Sequence, residues 1–271
     1  MEKSKLEHFQ KKVFNFYKTE GRHTLPWRNT NDPYCILVSE IMLQQTQVDR
    51  VIPKYNEFLR LFPTVKDLSQ ASLSDVLRIW SGLGYNRRAR FLHNAAQEIQ
   101  KVYNGVMPHT FTELQSLSGI GPYTASAVMV FAFNEPIPMI ETNIRSVYIH
   151  EFFSRHDEVE DKEIMPYIEK TVDVKNPCIW YAALMDYGTY LKKVTKNPSR
   201  KSKHHVIQKA FKGSLREARG KILPLLFKKG KTTAALVKET GIGKKRIIEA
   251  LEGLIRDGLV EQNGSTWTLC T

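Results

Sequence analysis

Ten successive stretches between Leu6 and Leu191 carry apolar residues at helical spacing, and none shows the alternation of a half-buried strand. They run Leu6 to Tyr17, Pro33 to Gln47, Ile52 to Phe62, Leu73 to Trp80, Arg87 to Val102, Phe111 to Leu117, Pro122 to Phe133, Asn143 to Phe153, Lys162 to Val172 and Cys178 to Leu191. Such a chain can fold only as an all-α assembly over this region. Within it, Leu117-Ser118-Gly119-Ile120-Gly121-Pro122-Tyr123-Thr124-Ala125 joins two helices by a very short link. Glycine permits the tight backbone, and Pro122 suits a first helical position. Free amides at a helix start, with the positive end of its dipole, form a backbone site for one phosphate. A hairpin that holds phosphate without touching a base anchors nucleic acid regardless of sequence.

Charge points the same way. The chain of 271 residues carries a net charge of +12. Fourteen Lys/Arg and one acid, Glu217, lie between Leu191 and Lys231, which leaves 26 basic and 27 acidic residues elsewhere. A belt this basic suits a polyanion, or else serves as a solvated linker. Cys35, Cys178 and Cys270 are far apart and odd in number, as in a reduced, intracellular (cytoplasmic, nucleoid-associated) protein. No apolar run reaches membrane-spanning length and no signal-peptide core is present, so no membrane partner is expected.

After the basic stretch the pattern changes. Leu215 to Phe227, Thr233 to Thr240 and Lys244 to Asp257 read as helices, and 258–269 reads as a β-hairpin turning at Asn263-Gly264. Three helices closed by a hairpin form a winged helix, with Lys244, Lys245 and Arg246 opening the recognition helix. Winged helices also join proteins. The expected layout is a helical core over 1–191, a basic linker over 192–213 and a winged helix over 214–271.

Leu25-Pro26-Trp27-Arg28 and the string Ser39-Glu40-Ile41-Met42-Leu43-Gln44-Gln45-Thr46-Gln47-Val48 resemble the helix-hairpin-helix (HhH-GPD) DNA glycosylases of the MutY adenine glycosylase branch. Phe62-Pro63-Thr64, Gly82-Leu83-Gly84-Tyr85, the hairpin and Met185-Asp186-Tyr187-Gly188 keep that family's order and spacing from about residue 20 to 190. The resemblance implies cleavage of an N-glycosidic bond through an oxocarbenium-like transition state, a task for an acid near the base and a carboxylate near the sugar. It makes Glu40 the acid, in an apolar helix where desolvation favours the protonated form.

The family's second carboxylate is Asp; here it is Glu141, with Asn143 positioning it, and the added methylene moves the charge by roughly 1 Å. Tyr123 stands where strand-cutting relatives carry a Schiff-base lysine, so a monofunctional enzyme that leaves an abasic site is expected; the lesser alternative is that Tyr123 simply packs. The resemblance places Gln45, Thr46, Tyr85, Arg88, Gly119 and Gly121 at the DNA, with Gln45 and Tyr85 wedged into the duplex beside a flipped nucleotide. It places Trp27, Arg28 and Ala182 at the base pocket.

Ala182 is a departure, because the branch has Gln or Glu there to read adenine. The winged helix stands where the branch has its 8-oxoguanine-sensing domain. No cysteine lies in the stretch Lys192 to His205 that follows the Met-Asp-x-Gly helix, so no iron–sulfur cluster and no other metal site is expected, beyond a monovalent cation at the hairpin. The expected function is excision of adenine opposite 8-oxoguanine or guanine from double-stranded DNA by a monomer. Uracil or thymine opposite guanine is the second option, and a non-catalytic damage-binding protein the third.

Overall fold

The computed structural model describes residues 2–207 and 210–270, and its 64% helix content agrees with the all-α expectation for the core. The chain runs α1 (Glu2–Glu20), a 3-10 turn at Pro26–Arg28, α2 (Pro33–Leu43), α3 (Val48–Leu61), α4 (Val65–Gln70), α5 (Leu73–Trp80) and α6 (Arg87–Val102). Next come α7 (Phe111–Ser116), α8 (Pro122–Phe133), α9 (Thr142–Phe152), α10 (Asp161–Thr171) and α11 (Pro177–Val194). A second 3-10 turn, Pro198–Lys201, leads to α12 (Leu215–Leu226), β1 (Lys231–Thr232), α13 (Thr233–Thr240), α14 (Lys244–Arg256), β2 (Val260–Asn263) and β3 (Thr266–Leu269). Two compact units result: 2–37, 109–116 and 120–207 form the first, and 38–108, 117–119 and 210–270 the second.

The first unit is built around α9 and α11, whose Tyr148, Trp180 and Tyr181 are fully buried. Phe9 of α1 meets Tyr148, Phe152 and Trp180 edge-on, with ring centroids 5.4, 5.0 and 5.7 Å away. Each such pair adds about 1 kcal/mol beyond the area it buries. Gly188 lets α11 approach α9, because a Cβ there would overlap the Asn143 carbonyl. The stretch after α11 is docked on this unit rather than loose. Val159 donates to the Lys201 carbonyl (2.8 Å) and accepts from the Lys203 amide (3.1 Å), and Pro198, Ser199 and Ser202 are buried.

The second unit gathers α3 to α6 around Phe58, Leu68, Leu77, Trp80, Leu92 and Ile99. Helix α4 is too short for its apolar spacing to announce it. Its start is fixed by a capping box in which Thr64 and Asp67 satisfy each other's backbone amides.

The winged helix belongs to this unit. Its sheet has the order β1-β3-β2, all antiparallel, with β2 and β3 turning at Gly264 (φ 60°). Strand β1, only two residues long, pairs with Thr266 and Trp267 and was not visible in the periodicity. Gly241 (φ 68°) closes α13 and α14 starts three residues later, so Gly241-Ile242-Gly243 is the turn of a helix-turn-helix. Arg90 of α6 donates to the Asp257 carbonyl (2.7 Å), Arg87 pairs with the Asp257 carboxylate (3.9 Å), and Arg78 of α5 lies over the Phe227 ring (5.5 Å).

Candidate active site

Glu40 and Glu141 fall in different units, and each is set by its own surroundings. Helix α2 is apolar on nearly every side, with Ile36, Leu37, Val38, Ile41 and Met42 all buried, so Glu40 is buried with them at 7% exposure. The helix ends at Leu43, short of the Gln47 expected from apolar spacing, because Gln45 adopts a left-handed conformation (φ 53°).

Arg88 explains that ending. It is 8% exposed and donates to the carbonyls of Ile41 (2.6 Å) and Met42 (2.9 Å), to Thr46 Oγ1 (3.0 Å) and to the Gly84 carbonyl (3.1 Å). The Ile41 and Met42 carbonyls belong to the last turn of α2, where no backbone amide can reach them. A buried cation thus caps the negative end of the helix carrying Glu40. Burial pushes the Arg88 guanidinium down to about 10, against an opposing pull from Tyr85, so it stays charged at neutral pH. Arg88, grouped with the DNA contacts by sequence, is placed by the structure as an internal clamp.

The same clamp holds the loop before α6. Gly82 (φ 97°), Gly84 (φ 75°) and Tyr85 (φ 49°) are all left-handed, and Tyr85 pays about 1–2 kcal/mol for it. Arg88 Nε also reaches the Tyr85 carbonyl (3.4 Å), and the Trp80 indole donates to the Gly84 carbonyl (3.2 Å). Strained residues persist where their surroundings over-determine them, as at binding sites. Thr46 sits on the clamp, with Gln45 beside it in sequence.

In the first unit Glu141 is the N-cap of α9. Its Oε1 accepts from the amides of Asn143 (2.7 Å) and Ile144 (2.8 Å), and its Oε2 from Asn143 Nδ2 (3.1 Å). Three donors and the positive end of α9 hold the carboxylate in one orientation. The longer side chain therefore does what an Asp cap does. Thr189 of α11 donates to Asn143 Oδ1 (3.3 Å), so the expected pair Glu141 and Asn143 is one fixed assembly.

Lys192, one turn along α11 from Thr189, was not singled out in the sequence. Burial lowers its ammonium pKa, the nearby Arg22 adds to that, and the charge of Glu141 opposes it. Only its helical position relative to Thr189 could have flagged it.

Arg28 and Asp186 form a second fixed pair. The Asp186 side chain, 2% exposed, accepts from Arg28 Nη1 (2.5 Å) and Nη2 (2.8 Å) and from the Arg22 amide (2.7 Å) and Nε (2.7 Å). Arg28 Nη2 also donates to the Ala182 carbonyl (3.3 Å), and Trp27 and Ala182 are buried. Arg28 and Ala182, two of the residues expected at a base pocket, are thus drawn together beside Asp186. Burial alone would raise that carboxyl; the Arg28 and Arg22 bonds and charges outweigh it and hold it below its ordinary value. A depressed carboxyl contributes stability above the unfolded range near 3.8 and loses it as pH falls through the folded value. Asp186→Asn should therefore cost about 3–5 kcal/mol at pH 7 and less at pH 3, measured by urea denaturation. An equal cost at both pH values would refute the ionic account.

The hairpin glycines differ. Gly119 is left-handed (φ 75°) and a Cβ there would run into the Phe91 ring, whereas Gly121 has ordinary angles (φ −84°) and open space. Gly121 caps α8 without a side-chain bond. Tyr123 in the first turn of α8 is half-buried and packs against the first unit's core. In the winged helix Lys244 and Lys245 are exposed on the first turn of α14. Arg246 turns inward to the Gly213 carbonyl (3.2 Å) and Glu217 (3.9 Å). The stretch 192–205, where the resembled family binds an iron–sulfur cluster, offers no thiolate. Its buried members are Pro198, Ser199 and Ser202, a donor set that does not fit such a cluster.

A helical core with a glycine hairpin between two helices, a buried helix glutamate and a capped second carboxylate define a DNA-repair scaffold. The family model for HhH-GPD superfamily base excision DNA repair proteins matches residues 38–173, and the chain belongs to that superfamily. It is 37% identical over 187 residues to an adenine DNA glycosylase of Buchnera aphidicola, covering 68% of this chain and 52% of that protein. It is 43% identical over 134 residues to one from Mycobacterium tuberculosis, covering 49% of this chain and 44% of that protein. The chain thus spans about half the length of the curated relatives it matches. A thermostable thymine-DNA glycosylase structure superposes with a TM-score of 0.61 at 27% identity, over 69% of this chain and 87% of the other. An endonuclease III–DNA covalent intermediate, 20% identical with a TM-score of 0.60, shares the fold.

Proposed function

We propose that this chain is an adenine DNA glycosylase acting on adenine opposite 8-oxoguanine or guanine. The observation that carries the proposal is the buried Glu40, inside the family-matched region of a chain whose curated relatives are named adenine DNA glycosylases. Glu40 protonates the departing base, which leaves as a neutral purine, and then takes the proton released when water adds to the sugar. Glu141, held by three donors, steadies the positive charge that develops on the sugar. Gln45 and Tyr85 enter the duplex where the nucleotide has left. Tyr123 has no amine, so the product is an abasic site with the strand intact.

A second proposal is excision of thymine or uracil opposite guanine, supported by the thymine-DNA glycosylase neighbour and by Ala182, whose methyl cannot pair with an adenine edge. Duplexes with A opposite 8-oxoguanine, A opposite G, U opposite G and T opposite G, followed by hot alkali, separate the two. Cleavage of the adenine duplexes alone supports the first. Binding without cleavage of any duplex refutes both and leaves a damage-binding protein. Strand cleavage without alkali refutes the monofunctional mechanism, and Lys192 is then the amine to replace.

The hairpin provides an independent check on DNA contact. Gly121→Ala meets no internal obstacle, so its melting temperature should match the wild type, while duplex affinity falls about tenfold as a phosphate loses its approach to the α8 amides. Unchanged affinity in fluorescence anisotropy would remove the hairpin from the DNA interface.

A further inference from the structure

The winged helix does more than lie beside the rest of its unit: it reaches the strained loop. Arg216, in the first turn of α12, donates from Nη1 to the Tyr85 hydroxyl (3.1 Å), and its guanidinium lies 5.7 Å from the Tyr85 ring centroid. The buried Arg88 lies 5.6 Å from the same centroid. A half-exposed, left-handed tyrosine is thus fixed at its backbone by Arg88 and at its hydroxyl by the winged helix. Arg216 is itself tied to the recognition helix. Its neighbour Glu217 accepts from the Gly213 amide (2.7 Å), and Arg246 of α14 contacts both Glu217 (3.9 Å) and the Gly213 carbonyl (3.2 Å). The first turns of α12 and α14 therefore meet on the side of the winged helix that reaches Tyr85.

The geometry points to Arg216 as a positioning residue through which the winged helix sets how well the enzyme distinguishes a mispaired duplex from a matched one. This rests on the proposed function, in which Tyr85 enters the duplex at the mispair. An aromatic wedge is useful only if its ring is already oriented, since ordering it on binding costs affinity. A guanidinium with a planar, always-charged face is suited to hold a phenol ring in place. Discrimination by Tyr85 is then a property of the core loop and the winged helix together. Lys244 and Lys245, exposed on α14, supply affinity that does not depend on the mispair.

The test uses the full chain in a Glu40→Gln background, so that binding is read without turnover. Anisotropy gives the ratio of affinities for an A:8-oxoguanine duplex and its matched counterpart. Arg216→Ala should lower that ratio about fivefold while the melting temperature is unchanged, and Arg216→Lys should recover only part of it. In a Tyr85→Ala background, adding Arg216→Ala should change the ratio less than twofold. Lys245→Ala should weaken both duplexes equally. In the free protein, the fluorine resonance of 3-fluorotyrosine at position 85, assigned by its loss in Tyr85→Phe, should move when Arg216 is replaced.

An unchanged ratio in Arg216→Ala overturns the inference. So does an equal loss for both duplexes, which would make Arg216 a phosphate contact, and so does an unmoved resonance. A wild-type ratio of one overturns the proposed function itself, an outcome distinct from discrimination that survives the loss of Arg216.

Discussion

Glu40→Gln should slow single-turnover excision about 10³-fold while duplex affinity stays within threefold of the wild type. The amide keeps the shape of the side chain, and Glu40 is packed among Ile36, Leu37, Ile41 and Met42, so the melting temperature should hold. What the amide lacks is a proton to give the departing base and a charge to collect one from water. Purine leaving groups need that proton, because the alternative is departure as a free anion. Glu141→Gln should behave differently. Its carboxylate caps α9 as well as facing the proposed sugar cation, so both stability and rate should fall, the former by about 1 kcal/mol. Excision by Glu40→Gln within tenfold of the wild-type rate would remove Glu40 from the role of acid.

Much of this architecture could be read from residue spacing, and the parts that could not share a physical reason. The helix Thr233–Thr240 and the hairpin turn at Asn263-Gly264 follow from local signals: a Thr cap, a Gly in left-handed conformation and an Asn-Gly pair. The burial of Glu40 follows from the unbroken apolar run around it. The end of α2 does not, since Gln44 and Gln45 are ordinary helix formers and the chain leaves the helix where Arg88 takes its carbonyls. Arg88 sits in Arg87-Arg88-Ala89-Arg90, which reads as a basic patch, and its partners lie 46 and 47 residues earlier in the chain. The docking of Pro198–Lys201 is likewise carried by backbone bonds to Val159, which leave no mark on side-chain pattern. Arg22 and Asp186 meet across 164 residues, and no local spacing could pair them.

Arg88→Met should be among the most damaging single changes in the second unit. Methionine fills nearly the same volume and stays apolar, so the loss is almost wholly one of hydrogen bonds and charge. The carbonyls of Ile41 and Met42 would lose the guanidinium donor, while that of Gly84 would keep the Trp80 indole alone, and each buried acceptor so stranded costs about 1–3 kcal/mol. Some of that is recovered as water enters or the loop relaxes, so a net loss of about 3–5 kcal/mol is expected in urea denaturation. The functional effect should exceed what partial unfolding explains. Glu40 stands just before the two capped carbonyls, and Tyr85 keeps its left-handed backbone through the same guanidinium. Excision measured at a temperature where the variant is still folded should therefore fall at least tenfold. Arg88→Lys keeps the charge but has one nitrogen to serve acceptors that the guanidinium reaches with three, so it should restore stability in part and rate less. If Arg88→Met folded as stably as the wild type and excised at the same rate, Arg88 would be a passive filler, and the position of Glu40 would have to be held by the packing of α2 alone.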